Sequence, residues 1–580
     1  MNILGISCYY HDAAAVLLCD GQIVAAIEEE RLSRLKHDSS FPKLAIDFCL
    51  RQAGILGKDL DYVVFYEKPF RKFHRILISY LSTYPKSYKA FCEAMVVWLT
   101  QKLWIKQEIA SYLKVETEKI LFCEHHLSHA ASCYYPSPFG KAAILTVDGV
   151  GEWATLTYCV GEDNHLTLLQ EQYFPQSLGL LYSAFTAFLG FEVNEGEWKV
   201  MGLAPFGKPK YTDKIWKVVR KNQDGSFSLD LSYFSFYYSE TKTFSKKFID
   251  LFGQPVSPKS SHLVNKYSAD LAASVQAVTE ELLLNVVRNL KRRTKLNNLC
   301  LSGGVALNSV ANYQILKRGG FKNIYIQPAA GDSGGALGAA LYVYHHVLHK
   351  KKRQTMKTAY WGEEYSDFDI ESFLKKEDIA YTRFSYDNLV SNVAQKIAQG
   401  KVVGWMQGRF EWGPRSLGNR SILADARNPA MKEIINSKVK FRESFRPFAP
   451  SVLEDKAYLF FDLPDPAKDH YPLRFMQYVL PVKKEWRKKV PAITHIDNTA
   501  RPQLVYKEDN LLYYKLISAF YKKTGVPLIL NTSFNLKGQP IVASPKDAYS
   551  TFERSGIDLL VLGHCVVEKK QLEYNIDFAI

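Results

Sequence analysis

Two consecutive stretches of this 580-residue sequence indicate its fold class: NLCLSGGVALNSVANYQILK (298–317) and NIYIQPAAGDSGGALGAALYVYHH (323–346). Each combines a short apolar strand, a loop containing glycine and a segment with helical periodicity. Strands that alternate with helices, with glycine at the strand ends, are typical of α/β domains whose loop amides and helix N-termini bind phosphate. Two such units in succession therefore predict an α/β fold.

A second pattern also occurs twice. NILGIS (2–7) predicts a buried strand, and the chain then forms a hairpin through Asp20 and Gly21. KAAILTVDGVGEWATLTYCVGEDN (141–164) again gives an apolar strand, an Asp-Gly turn and a second strand. We therefore expect an internally duplicated α/β domain, with a long amphipathic helix over residues 267–293.

A polar and basic run, HKKKRQTMKTAY (349–360), follows the last helix of this unit. Its composition predicts a solvated linker, so we place a domain boundary there, between residues 1–355 and 356–580. The second part is also expected to be α/β, with helices over 366–376 and 388–400 and strands within 401–408 and 526–535.

The composition is that of a globular protein, with 47% hydrophobic and 23% charged residues. Nine cysteines without a C-x-x-C pair favour a reducing cytoplasm. We expect no secretion and no membrane span, because the N-terminus lacks a signal-peptide pattern and no apolar run reaches about 18 residues. The net charge of +15 favours anionic ligands, or else reflects a solvated basic surface.

Apolar and basic residues alternate at helical spacing over residues 66–113. The pattern predicts helices that pack on the domain, with the stems of Lys and Arg covering apolar surface. Docking of these helices on a membrane surface is the alternative.

EHHLSHA (124–130) places three histidines within seven residues. In a helix His129 can share a face with His125 or with His126, so the spacing leaves the pair open. Two imidazoles and a carboxylate would suit iron or zinc, with Asp148 at a strand end as a third ligand and Asp332 completing the shell or holding a ribose. A purely structural role for these histidines is the alternative.

The second domain is dense in cations. This density suits a polyphosphate ligand, because guanidinium groups bind phosphate in a bidentate manner, whereas a salt-bridged surface is the alternative. Aromatic residues between the cations are less expected of a surface. The cations are Arg409, Arg415, Arg420, Arg427, Lys440, Arg442 and Arg446, and the aromatic residues are Trp412, Phe441, Phe445 and Phe448.

Eleven motifs then identify a family resemblance. They are HDAAA, EEERLSRLKH, HHLSHAASCYYPSPF, VDGVGEW, EGEWKVMGLAPFG, LSGGVALN, GDSGGALG, EWGPRSLGNRSILADAR, FRPFAPS, TARPQ and NTSFN. In this order they resemble the O-carbamoyltransferase family that includes the nodulation-factor, cephamycin and tobramycin carbamoyltransferases. The resemblance covers almost the whole chain.

The resemblance implies an N-terminal domain with the duplicated actin-like (ASKHA) fold, similar to the tRNA threonylcarbamoyl transferase, and a C-terminal YrdC-like α/β domain. It implies that the C-terminal domain makes carbamoyladenylate from ATP and carbamoyl phosphate. The N-terminal domain then transfers the carbamoyl group to a hydroxyl of a small natural-product or sugar-like acceptor, and AMP leaves.

The resemblance also implies functional residues. A metal, usually Fe2+, is expected at His125, His129, Asp148 and Asp332, and Mg2+ is expected with ATP. The carbamoyladenylate is expected at Gly303, Gly304 and Asn308, with His11 as a general base on the acceptor hydroxyl. ATP and carbamoyl phosphate are expected at Arg415, Lys440, Arg446, Arg501 and Ser533.

The chain departs from the family pattern at Asn498, where glycine is common, and in the small apolar residues of HDAAA. Neither departure removes an expected ligand. We expect no nucleic-acid partner, although a tRNA-modifying threonylcarbamoyl-type transferase is one alternative and an actin-like ATPase is another. The sequence leaves the acceptor and the oligomeric state open, with a homodimer among the alternatives.

Overall fold

A computed structural model describes residues 1–257, 265–443, 445–465 and 469–569. The chain begins with a five-stranded sheet and its helices. The strands are β1 (Asn2–Ser7), β2 (Ala14–Cys19), β3 (Gln22–Glu28), β4 (Tyr62–Phe65) and β5 (Ile120–Phe122). The helices are α1 (Glu29–Ser33), α2 (Lys43–Ala53), α3 (Pro69–Leu81), α4 (Tyr88–Thr100), α5 (Ile105–Leu113) and α6 (His125–Tyr134).

The strand order of this first sheet is β3-β2-β1-β4-β5. β1, β2 and β3 form an antiparallel meander, and β4 and β5 add on the other side in parallel. The predicted hairpin is present: Asp20 and Gly21 have φ angles of 48° and 76°, the positive pair that a tight two-residue turn requires.

A second unit follows. Its strands are β6 (Lys141–Val147), β7 (Ala154–Glu162), β8 (His165–Tyr173), β9 (Val219–Lys221), β10 (Phe227–Leu229), β11 (Asn298–Ser302) and β12 (Asn323–Ile326). Its helices are α7 (Leu178–Phe188), α8 (Glu197–Leu203), α9 (Thr212–Ile215), α10 (Lys246–Phe252), α11 (Lys266–Thr294), α12 (Ser309–Arg318) and α13 (Ser333–Tyr342).

The main sheet of this unit has the order β8-β7-β6-β11-β12, which repeats the first sheet strand for strand. β6, β7 and β8 form the antiparallel meander, and β11 and β12 pair in parallel. This repetition is the duplicated actin-like arrangement, so the predicted duplication and the predicted α/β class are confirmed.

Helices α6 and α13 pack on each other between the two sheets, α13 against β1 and β2 and α6 against β6 and β11. The approach is so close that a Cβ on Gly338 would lie 1.7 Å from the carbonyl oxygen of Ser128. The glycines of GDSGGALG thus allow two helices to pack tightly, in addition to any role at a ligand.

The rest of the chain forms an eight-stranded mixed sheet with the order β13-β22-β21-β14-β15-β20-β16-β19 and a two-stranded ribbon of β17 and β18. The strands are β13 (Thr382–Arg383), β14 (Val403–Met406), β15 (Arg420–Ala424), β16 (Ala449–Leu453), β17 (Leu480–Pro481), β18 (Thr499–Ala500), β19 (Gln503–Val505), β20 (Leu528–Ser533), β21 (Leu559–Leu562) and β22 (Cys565–Glu568). The helices are α14 (Asp367–Lys376), α15 (Tyr386–Ala398), α16 (Met431–Ile434), α17 (Ala457–Phe460), α18 (Tyr471–Arg474), α19 (Leu511–Thr524) and α20 (Pro545–Glu553).

The predicted helices and strands of this second part are all present, and its α/β class is confirmed. Its likeness to the YrdC fold and the exact boundary near residue 355 stay predictions. One apolar core runs without interruption from the second sheet of the first part into the eight-stranded sheet. The two parts therefore pack directly on each other.

The segment predicted as a solvated linker is partly anchored. Residues 349–359 contain neither helix nor strand, as expected. Arg353, however, donates hydrogen bonds to the backbone carbonyls of Tyr135 and Phe139, at 3.0 and 2.8 Å. The guanidinium thus holds the segment against the chain that follows α6. These two backbone carbonyls lie outside the helices and strands and need a hydrogen-bond donor, which Arg353 supplies.

The region over residues 66–113 forms helices α3 to α5, as predicted. The inward side of α4 carries Ala90, Ala94 and Trp98, which are buried. In the part of the chain that the structure describes, no helix combines the length and the apolar character needed to cross a bilayer.

Candidate active sites in the two domains

Helix α6 brings the two histidines of a candidate metal site together. His125 is its first residue and His129 lies one turn later, so both imidazoles point to the same side. Their Nε2 atoms are 3.1 Å apart. Asp148 directly follows β6, and its Oδ2 lies 3.1 Å from His125 Nε2 and 2.9 Å from His129 Nε2.

Asp332 approaches the pair from the start of α13. Its Oδ1 lies 3.5 Å from His129 Nε2 and 3.8 Å from His125 Nε2. The ligand atoms of the four side chains all lie within 4.8 Å of one another. Asp332 Oδ2 is buried and has no hydrogen-bond partner among the described residues. Two imidazoles and two carboxylates, one with an unsatisfied buried oxygen, fit a divalent first-row metal.

The third histidine, His126, faces away from this cluster. Its Nδ1 lies 2.6 Å from Thr146 Oγ1, on the strand behind the helix. Burial, together with the neighbouring His125 and His129, holds the pKa of His126 well below its usual value. The sequence leaves the partner of His129 open between His125 and His126. The packing of α6 decides which side of the helix faces the cluster, and His125 lies on that side.

Hydrogen bonds within the cluster shift the pKa values of its side chains. Burial opposes protonation of His129, but its hydrogen bonds to Asp148 and Asp332 outweigh burial and raise its pKa to about 9. Burial also opposes ionisation of Asp148, but hydrogen bonds to His125 and His129 outweigh it and hold its pKa well below the usual value. A bound divalent cation would take the place of the protons that the imidazoles and the carboxylates share.

Backbone groups hold the cluster in place. Asp148 Oδ1 accepts hydrogen bonds from the amides of Gly149 and Gly304, at 2.7 and 3.3 Å. The amide of His125 donates to the carboxylate of Glu152 at 3.0 Å. These contacts fix the side chains around the cluster, which is what a metal centre needs for a defined geometry.

The residues expected to bind carbamoyladenylate lie next to the cluster. Gly303 has a φ angle of 94°, and a Cβ there would lie 2.2 Å from the carbonyl oxygen of Val147, so this loop packs directly on the strand end that carries Asp148. Asn308 caps α12 through Ala311 N and exchanges two hydrogen bonds with Gln276. Its amide thus makes its hydrogen bonds within the protein, and Gly304, which is exposed, forms the open part of the loop.

His11 lies in the turn between β1 and β2. Its Nδ1 is 2.9 Å from Asp12 Oδ2 and its Nε2 is 3.0 Å from the carbonyl oxygen of Asn194. Burial opposes its protonation, but these hydrogen bonds outweigh burial and raise its pKa to about 9. Both ring nitrogens are engaged in hydrogen bonds. His11 can therefore act as a base only after Nε2 loses its proton and the contact with the Asn194 carbonyl opens.

The second domain contains a cluster of cations that we call the cation cluster: Arg415, Lys440, Arg442, Arg446 and Arg501. Buried guanidinium nitrogens of all four arginines have no hydrogen-bond partner among the described residues. Within those residues, only Arg446 pairs with a carboxylate, that of Glu443 at 3.3 Å. Positive charge without compensation is costly to bury, so the cluster is suited to an anion.

The pKa values of the cation cluster reflect the same excess of positive charge. Burial, with repulsion from Arg442 and Arg446, holds the pKa of Lys440 well below its usual value. Burial, with repulsion from Arg415 and Arg442, does the same for Arg501. Burial alone lowers the pKa of Arg415 to about 10. A bound polyphosphate would relieve both burial and repulsion.

Ser533 ends strand β20 and holds Lys440. The ammonium of Lys440 donates to Ser533 Oγ at 3.1 Å and to Asn535 Oδ1 at 2.7 Å. The expected residues Lys440 and Ser533 are therefore in direct contact, and Asn535 joins them. Sequence reasoning did not assign Asn535, although it stands within the same NTSFN motif.

Arg446 reaches across to the first domain. Its guanidinium lies 3.9 Å from the ring centroid of Trp198, in helix α8. The adjacent cleft between the domains is lined by Phe206 and Ser309 on one side and by Phe448 and Arg501 on the other. Sequence reasoning missed Trp198; its signal is the EGEWKVMGLAPFG motif, to which no role was given.

Three arginines of the cation-rich segment make hydrogen bonds or ion pairs within the protein. The number of cations in the segment therefore overestimates how many are available to bind phosphate. Arg420 is fully buried and donates to the carbonyls of Gln407 and Gly408. Arg409 donates to the carbonyl of Val24 at 2.9 Å, and Arg427 pairs with Asp425 at 2.7 Å. These are structural contacts, including one between the domains.

The departure at Asn498 has a conformational explanation. Its φ angle is 65°, in the left-handed region that glycine adopts without strain and that asparagine tolerates best among the other residues. The loop keeps its shape, because Asn498 N donates to the carbonyl of His495 at 3.0 Å. The replacement is therefore compatible with the backbone next to Arg501.

A duplicated actin-like domain with a His2Asp2 cluster, joined to an α/β domain with uncompensated cations, defines a two-domain protein suited to phosphate-bearing substrates. The family description Carbamoyltransferase N-terminus matches residues 2–341, and Carbamoyltransferase C-terminus matches residues 394–569. The chain belongs to the carbamoyltransferase family and is a transferase enzyme.

Two similar proteins match almost the whole of this chain. The uncharacterized protein sll1178 of Synechocystis sp. is 46% identical, over 98% of this chain and 97% of that protein. The nodulation protein NolNO of Sinorhizobium fredii is 38% identical, over 97% of this chain and 79% of that protein. Among solved structures, HypF of T. kodakarensis aligns over 60% of this chain and 48% of that chain, with 15% identity and a TM-score of 0.33.

Proposed function

We propose that this enzyme forms carbamoyladenylate from ATP and carbamoyl phosphate and transfers the carbamoyl group to a hydroxyl of a small natural-product or sugar-like acceptor. The observation that carries the proposal is the pairing of two sites of opposite character. The cation cluster suits two phosphate substrates, and the His2Asp2 cluster suits a divalent cation next to an open glycine loop.

In the proposed first step, water cleaves carbamoyl phosphate to carbamate and phosphate. A carbamate oxygen then attacks the α-phosphorus of ATP, which carries Mg2+, and the bond to the leaving pyrophosphate breaks. Arg415, Arg446 and Arg501 would neutralise the charge that spreads over the phosphate oxygens. Lys440, held by Ser533, would orient one of the two anions.

In the second step, the acceptor hydroxyl attacks the carbamoyl carbon and AMP departs. His125, His129, Asp148 and Asp332 would hold the metal, which we propose is Fe2+ and which would neutralise the adenylate phosphate. Gly303 and Gly304 would let the adenylate approach their backbone closely.

His11 would remove the proton of the hydroxyl. A base with this role must first be neutral, so the reaction requires its contact with Asn194 to open.

Carbamoyladenylate reacts with water, so a protected route between the two sites is an advantage. The cleft between Ser309 and Arg501 supports such a route, because it starts beside the glycine loop and ends at the cation cluster. Arg446 on the ring of Trp198 would connect the two halves.

The test is to incubate the protein with ATP, carbon-labelled carbamoyl phosphate and a panel of hydroxylated metabolites. The proposal predicts AMP, pyrophosphate and a labelled carbamate ester. ADP as the nucleotide product, with no dependence on carbamoyl phosphate, would contradict it and would favour an ATPase. Tight, salt-sensitive binding of bulk tRNA would favour the tRNA-modifying alternative.

A further inference from the structure

The large apolar side chains on the surface are concentrated in one place. Nine of the 22 that lie exposed in the described residues fall between Phe70 and Trp104, in helices α3 and α4 and the turns that follow them. Phe70, Tyr84 and Trp104 are 72%, 71% and 55% exposed. A concentration of this kind on one element marks an interaction surface rather than scattered surface residues.

Helix α4 has large apolar residues on its outward side as well as on its inward side, which a helix that only packs on its own domain does not need. Its inward positions are Ala90, Ala94 and Trp98. Tyr88, Val96 and Leu99 lie outward, at 63%, 64% and 54% exposure. The spacing of these three residues places them on one outward stripe of α4. We call this stripe, together with the exposed Phe70 of the neighbouring helix α3, the α3–α4 face.

The exposed charge on these two helices is mainly positive. Between Pro69 and Trp104 the sequence has six Lys and Arg residues and one acidic residue, Glu93, but Lys72 and Arg75 are buried. The exposed cations are Arg71, Lys86 and Lys89. Arg71 also pairs with Glu124 and Lys89 with Glu93, in surface ion pairs that are weak and leave both cations accessible. Two copies of such a face would repel each other across a symmetric interface, whereas an anionic surface would be attracted.

We propose that the α3–α4 face docks this enzyme on an anionic lipid surface. Exposed aliphatic residues would enter the headgroup boundary, Tyr84, Tyr88 and Trp104 would lie at the interface, and Lys89 would contact anionic headgroups. The helices are parallel to the surface in this arrangement and do not cross it.

The inner side of the same helices contacts the turn that carries His11. Lys72 Nζ lies 4.8 Å from the ring centroid of Tyr10, and Lys102 Nζ donates to the carbonyl of Tyr9 at 2.7 Å. The docked enzyme would thus open its acceptor side next to the lipid. Combined with the proposed function, on which this last step rests, the acceptor is a hydroxyl compound presented at a membrane surface.

The docking is tested without any substrate, by co-sedimentation of the full-length protein with vesicles of phosphatidylglycerol and phosphatidylcholine or of phosphatidylcholine alone. The test variant is Val96→Glu with Leu99→Glu. The matched control is Leu56→Glu with Phe368→Glu, since these residues are 62% and 79% exposed elsewhere on the protein. Circular dichroism and carbamoyl transfer to a soluble acceptor show that each variant is folded.

The expected result is binding to the anionic vesicles that weakens at high salt, with a loss of at least about tenfold in the test variant and little change in the control. Absence of binding, equal binding to neutral vesicles, or equal loss in the control would overturn the proposal. A dimer that sedimentation detects in wild type and not in the test variant, without vesicle binding, would instead make the face a contact between two copies. Vesicle binding without AMP formation would refute the proposed function alone.

Discussion

Replacing Gly338 by alanine tests how the helix pair supports the His2Asp2 cluster. The new Cβ would lie 1.7 Å from the carbonyl oxygen of Ser128, whereas real Cβ contacts are essentially never below 3.0 Å. Helices α6 and α13 must therefore separate by about 1.3 Å, since both atoms belong to helical backbones. Alanine is the better helix former by about 1 kcal/mol, so without the clash the substitution would stabilise the protein.

We expect Gly338→Ala to destabilise the protein instead. Overpacking costs about 1–3 kcal/mol, which exceeds the gain in helix propensity. The separation also moves His125 and His129, on α6, away from Asp332, at the start of α13. Metal–ligand distances tolerate only about 0.2 Å, so the metal should be lost with the packing.

Thermal denaturation and elemental analysis of the purified variant measure the two effects. Gly202→Ala is the matched control, because Gly202 is also helical and a Cβ there would meet Pro447 at an ordinary 3.7 Å. The control should keep its melting temperature and its metal. A Gly338→Ala protein with the metal content and stability of wild type would refute the argument.

Three further predictions follow from single residues. His11→Ala should slow carbamoyl transfer by about 10²–10⁴-fold without slowing the pyrophosphate release that depends on carbamoyl phosphate. The wild-type transfer rate should rise about tenfold per pH unit toward pH 9, because a base with a pKa of about 9 is mostly protonated below it. Trp198→Ala should slow pyrophosphate release by roughly fivefold through the lost ring contact with Arg446, whereas Trp198→Phe should restore most of it. Asn498→Val should lower the unfolding free energy by about 1–2 kcal/mol in denaturant titrations and Asn498→Gly should not, because of the positive φ angle.

The elements that sequence periodicity predicts well are those in which local pattern and burial agree. β1, β6, β11 and β12 are short apolar runs between turns, and the repeated order of turns predicts the duplication. The phase of α6 is different, because a helix can present either His125 or His126 beside His129 until its neighbours are known. Packing on β6 decides this, and no local pattern records it.

The cations show the same limit. Arg420 and Arg415 stand five residues apart in one motif. Arg420 donates hydrogen bonds to four carbonyls, including that of Glu363, 57 residues away in sequence, although its Nε, like that of Arg415, has no partner among the described residues. Which arginine is structural depends on such distant partners. The outward stripe of α4 was equally hidden, since apolar residues occur on both sides of this helix.

The central claim is that two steps of one reaction occur at two separate clusters, and pyrophosphate release measured beside carbamoyl transfer tests it most directly. In His129→Ala, release that depends on carbamoyl phosphate should continue while transfer is lost, because only the His2Asp2 cluster is damaged. In Arg446→Ala, both should be lost. Wild-type transfer in His129→Ala, or pyrophosphate release at the wild-type rate in Arg446→Ala, would contradict the account.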